Sequence, residues 1–197
     1  MTAQISDSVL YLGEEYSLTG VKGEGLFDPK QFGLELVRMH TACYRGFIAA
    51  YTVTDGRLQM ERLHINPAAE EVDIAALPTI YGGRPAGGEC GFFYHDAPDA
   101  VPFTGGMLIG RDFLAELYVH MGYHPAWKFR EVHELVFTEG RLTEQRDVSA
   151  AMEKYRQERE TTELKPNVLQ THPDIYKDWI RSTFSLDYFN VPGEDLG

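Results

Sequence analysis

The chain has 197 residues, 30 acidic and 18 basic, giving a formal net charge of −12 and a pI near 5.0. That charge speaks against a nucleic-acid binder, whose phosphate contacts need clustered Lys and Arg, and no apolar run approaches the ~20 residues of a membrane span. With 43 % hydrophobic residues, the chain can bury a core of its own, as one domain over 1–197 or two small lobes.

Asp28-Pro29 places a capping side chain before a proline suited to a first helical position, so a short helical turn is expected there. The clearest local signal follows at 46–65. Phe47, Ala49, Tyr51 and Val53 alternate on one face, and Thr54-Asp55-Gly56 supplies residues that tolerate positive φ. The return arm runs from Arg57 to Ile65. Its apolar phase slips between Met60 and Leu63, which predicts a bulge.

From 67 to 110 glycine and proline recur, including Gly82-Gly83, Gly87-Gly88 and Gly105-Gly106. Such punctuation predicts short strands, here over 91–94, 101–104 and 107–109, joined by ordered turns. Arg111 to Met121 reads as a helix, capped by Asp112, striped by Phe113, Leu114, Leu117 and Met121, and ended by Gly122.

A second hairpin is expected over 128–146, turning at Thr138-Glu139-Gly140. Its Thr-Glu-Gly-Arg-Leu at 138–142 matches Thr-Asp-Gly-Arg-Leu at 54–58. Upstream, Phe113, Glu116 and Leu117 keep the spacing of Phe32, Glu35 and Leu36, and an aromatic (Tyr44, Trp127) precedes each hairpin. An internal duplication with a period in the low eighties would account for this. Convergence of turn and helix-entry chemistry on the same residues would do so too.

Val148 to Glu160 reads as a helix with a thin stripe of Val148, Ala151, Met152 and Tyr155 under a charged face. A second amphipathic stretch from Pro173 carries Tyr176, Trp179 and Phe184, aromatics that need a surface to cover, on this chain or on a partner. The expected fold is therefore α+β, mainly antiparallel. Two similar hairpin units (lobes of about 1–66 and 101–146) are joined by the Gly/Pro-rich segment and followed by C-terminal helices over 147–197.

The densest cluster of chemically able side chains is Glu116, His120, His124, Glu131 and His133. Imidazoles with a carboxylate suit a divalent metal or general acid and base work. His120 and His124 lack the intervening Glu of the zinc-protease motif, and at a helix end they also interact favourably with the exposed carbonyls. Cys90 and His95 offer a thiol and an imidazole in one stretch, on opposite faces if it is extended. The glycine pairs match neither a phosphate loop nor a dinucleotide fingerprint. Two cysteines, Cys43 and Cys90, are too few for a secreted disulfide scaffold, and the N-terminal residues lack a signal-peptide pattern, so a cytoplasmic protein with free thiols is expected.

No catalytic constellation stands out, and the acidity is spread evenly, −6 in each of 1–130 and 131–197. The first expectation is accordingly a non-catalytic binding protein without cofactor, an immunity-like or antitoxin-like inhibitor steered towards a basic protein partner through its charge. The alternative is a small enzyme or ligand-binding barrel using the His/Glu cluster, with or without a divalent metal. A third is a homo-oligomer subunit built around Trp179 and its aromatic neighbours.

Overall fold

The computed structural model describes residues 2–69, 71–88 and 91–162, with side chains described as far as 158. In chain order its elements are β1 (Ser8–Tyr11), β2 (Glu14–Glu24), β3 (Phe47–Thr54), β4 (Arg57–Ile65), β5 (Pro85–Gly88), β6 (Gly91–His95), β7 (Thr104–Phe113), β8 (Phe129–Thr138), β9 (Arg141–Asp147) and α1 (Ser149–Thr162). The fold is α+β with a mainly antiparallel sheet.

Three hairpins set the architecture, each turned by two residues that both carry positive φ. They are Leu12-Gly13 (52° and 83°), Asp55-Gly56 (51° and 69°) and Glu139-Gly140 (47° and 76°). This geometry matches the right-handed twist of the flanking strands. The bulge expected in the first predicted hairpin is present. Ala50 pairs with Arg62 and Tyr51 with Met60, so Glu61 is the extra residue. The Asp28-Pro29 signal is a single 3₁₀ turn, Pro29–Phe32, with Asp28 accepting from the Lys30 amide at 3.1 Å.

The strands run β3-β1-β2-β7-β8-β9-β4, and β4 also pairs with β3, so seven strands close on themselves. β1 and β3 are parallel. The nearly buried Asp7 ties them together, bonding the Arg45 guanidinium and accepting from the Ala49 amide at 2.6 Å. Closure at β4–β9 rests on one residue pair, Arg57 opposite Arg141. The Leu58 amide donates to the Gly140 carbonyl, and the Leu142 amide donates to the Gly56 carbonyl, each at 2.8 Å. The two similar turns thus meet reciprocally at the seam. Beyond it, residues 96–103 line the open edge of β4: the Ala97 amide donates to Met60, Val101 to Leu58, and Gly140 to Phe103. β6 and then β5 extend the sheet from the end of β4.

Inward residues of every barrel strand fill the interior, among them Leu18, Tyr51, Leu58, Met60, Met107, Leu135 and Phe137, with Val101 and Phe103 added from the wall segment. Outside, Val148, just before α1, and Met152 of α1 pack on Leu108, Phe129 and Val132. Arg156 pins the helix by donating to the Trp127 and Phe129 carbonyls at 2.8 and 2.9 Å.

Several expectations are corrected. No helix covers 111–121: β7 runs to Phe113, where Arg111 pairs with Glu131 and Phe113 with Phe129, and only a 3₁₀ turn, Ala115–Leu117, follows. Cross-strand pairing outweighs the 3.6-residue periodicity there. The separate strands at 101–104 and 107–109 are instead one strand preceded by the wall segment. The upstream half of the apparent repeat has no structural counterpart, since Phe32 ends a 3₁₀ turn and Phe113 ends a ten-residue strand. β2 pairs with β7, so the stretches 1–66 and 101–146 contribute adjacent strands to one sheet. The Tyr176, Trp179 and Phe184 expectation lies outside the described residues.

The seam separates two otherwise similar glycines. Space is open around Gly56, so Gly56→Ala should cost about 1 kcal/mol from its backbone conformation alone. At Gly140 an added Cβ would also overlap the Val101 carbonyl oxygen, and Gly140→Ala should cost about 3 kcal/mol. Urea denaturation of both variants checks this; equal losses would mean the seam is not packed as described.

Candidate functional site at the barrel mouth

Strand alternation carries the site. Along β8, Phe137, Leu135, His133 and Glu131 share the inward face. The first two are buried, while His133 and Glu131 retain 18 and 28 % side-chain exposure near the start of the strand. The same alternation brings Arg111 to the end of β7 after Met107 and Ile109, Tyr11 to the end of β1, and Tyr16 near the start of β2. Register sets Arg111 opposite Glu131 and Asp147 opposite His133. Five strands therefore deliver their last inward polar side chains to one mouth.

Glu131 is the hub. Its Oε1 accepts from the Tyr16 hydroxyl at 2.5 Å and lies 3.0 Å from His133 Nε2. Its Oε2 accepts from Arg111 Nε and Nη2 at 3.1 and 2.6 Å. Four donors saturate one carboxylate. Arg111 also reaches Glu14 at 2.6 Å, and its guanidinium lies over the Tyr16 ring. The imidazole of His133 stands edge-on to Tyr11 and Tyr16, centroids at 5.8 and 5.5 Å, and the Tyr11 hydroxyl donates to Gln145 Oε1.

The electrostatics follow from these contacts. Hydrogen bonds from Tyr16, Arg111 and His133 hold the Glu131 carboxyl down to about 2. Burial, reinforced by the Glu131 carboxylate, pushes the Tyr16 phenol up to about 12, and burial raises Tyr11 as well. Asp147 is lowered by its bonds with Ser149. An ionised Glu131 accepts from Nε2, so a neutral His133 carries its proton there and keeps a lone pair on Nδ1. Nδ1 takes no hydrogen bond from the described residues. The arrangement is an imidazole oriented by a carboxylate, with one nitrogen available to accept a proton or a ligand donor.

Of the sequence-selected cluster, Glu131 and His133 meet here and the rest do not. Without the helix, Glu116 and His120 share no face, and both are exposed. His120 Nδ1 lies 2.9 Å from the Tyr118 hydroxyl. His124 packs on Phe113 with centroids 4.6 Å apart, and burial with nearby Lys128 lowers it to about 4. Among the described residues no three His, Cys, Asp or Glu side chains stand close enough to hold a metal ion. His95 is exposed on β6 and stacks on Phe93, and Cys90 lies outside the described residues. Sequence reasoning missed Tyr11, Tyr16, Arg111 and Gln145. The alternation of Glu14, Tyr16 and Leu18 was the available signal for β2.

The chain matches no protein-family model, no curated protein and no solved structure. No helix of the described residues is long and apolar enough to cross a membrane.

Because Glu131 is held below the ordinary carboxyl range, its contribution is present above about pH 4.5 and is lost as pH falls through about 2. Solvent screening limits it to about 1 kcal/mol. Glu131→Gln should be less stable than wild type by that amount at pH 6, with the gap closing towards pH 2. Chemical denaturation across this range checks it, and a gap independent of pH would contradict the charge assignment.

Proposed function

We propose that the protein is a small-ligand-binding barrel whose site is the polar mouth, with His133 as the acceptor that engages the ligand and Glu131 as the residue that orients it. The observation carrying this reading is His133 Nδ1, left without a partner among the described residues while Glu131, Tyr11, Tyr16 and Arg111 beside it are bonded. An eight-stranded barrel has room for packed side chains or one small ligand, and seven strands enclose less. Here side chains occupy the interior, so a ligand binds at the rim. The oriented imidazole is also competent for proton transfer, which makes the site suitable for acid and base chemistry on a ligand carrying a donatable proton.

The reading as an occluding inhibitor of a basic partner rests on the net charge of −12 and on aromatics beyond the described residues. It draws nothing from the mouth.

Ligand-observed NMR against a library of small polar metabolites tests the proposal. Binders should weaken at least about tenfold with His133→Gln while the variant keeps its circular dichroism spectrum. Tyr11→Phe, which spares Glu131, should weaken them less. Binders indifferent to His133→Gln, or a library without binders, would overturn it.

A further inference from the structure

A cavity of about 510 Å³ lies on the outer side of the barrel, between the β7–β8 connection and the first turns of α1. Leu114, Arg130, Asp147, Ser149, Ala150, Glu153 and Arg156 line it. Two cations and two anions face this one space, and no ion pair joins any two of them. Arg130 is exposed and makes no hydrogen bond or ion pair with a described residue. Arg156 is fixed by the two carbonyls that hold its Nη1, and the rest of its guanidinium takes no bond among the described residues. Among the described residues Asp147 is bonded by Ser149 alone, and Glu153 accepts from Gln157 alone, at 3.4 Å.

Opposite charges this close on a surface ordinarily relax into pairs worth little each. Here the backbone anchors of Arg156 and Asp147 hold them apart. A ligand bearing both charges satisfies both sets, its carboxylate across the guanidinium groups, where bidentate geometry is available, and its ammonium against the carboxylates. Leu114 and Ala150 provide apolar wall, and the volume falls in the range of small-molecule sites.

We infer that this cavity is a second ligand site, taking a small zwitterion of the α-amino-acid class between Arg130 and Arg156 on one side and Asp147 and Glu153 on the other. It shares only Asp147, which stands opposite His133 in the β8–β9 register, with the rim of the mouth, and Arg130, Arg156 and Glu153 belong to it alone.

Isothermal titration calorimetry of the full chain with each proteinogenic amino acid, and with acetate and methylammonium as half-ligands, tests the inference. At least one amino acid should bind with a Kd below about 1 mM, and neither half-ligand should match it. Arg130→Gln and Glu153→Gln, both at exposed positions, should each weaken binding at least about tenfold. The inference is overturned if no amino acid binds, if acetate binds as tightly as the best amino acid, or if both cavity variants bind like wild type.

Discussion

The barrel depends on a seam that is one residue pair wide. Two hydrogen bonds, Leu58 to Gly140 and Leu142 to Gly56, join turns that are far apart in sequence. They hold β9 against β4 although the two strands share only the Arg57–Arg141 pair. That pair sets two arginines opposite each other, an arrangement that by itself is unfavourable. Backbone bonds and the fully buried Leu58 beneath outweigh it. Remove the seam and the sheet opens, the interior layer of Met60, Val101, Phe103 and Phe137 meets water, and β9 no longer carries Gln145 to Tyr11.

Closure also explains where polar chemistry can sit. Aromatic and aliphatic side chains fill the interior, so ionisable residues collect where the strands end. Glu131 is tolerable at the partly buried rim because its four acceptor sites are filled; a half-satisfied carboxylate there would carry an uncompensated desolvation cost. The same saturation fixes the ring of His133. Stability and the chemical readiness of the mouth therefore come from one set of contacts, and Arg111, held also by Glu14, keeps the local charge balanced.

What could be read from the sequence follows the locality of each signal. The hairpins at Asp55-Gly56 and Glu139-Gly140 were legible because their turn chemistry is local, and the Glu61 bulge because it shifts the apolar phase within one strand. β1 and β2 were missed because Leu12-Gly13 turns them, and leucine at positive φ is not a turn signal. The helix expected over 111–121 failed for a non-local reason. Its stripe residue Phe113 is spent on Phe129 across the sheet, and Arg111 on Glu131. His133 and Glu131 were legible as able side chains. Their partners were not, because Tyr11 and Tyr16 lie more than a hundred residues away and reach them only through the strand order β1-β2-β7-β8. The matching pentapeptides at 54–58 and 138–142 suggested a repeat, and the structure gives them a physical use, since they form the two halves of the seam.

Native-state hydrogen exchange of the Leu58 and Leu142 amides tests the closed barrel most directly. Closure predicts protection comparable to that of the central β7–β8 amides, because these bonds open only when the barrel does. Exchange of either amide at the rate of an exposed turn would contradict the seam, and with it the closure of the barrel.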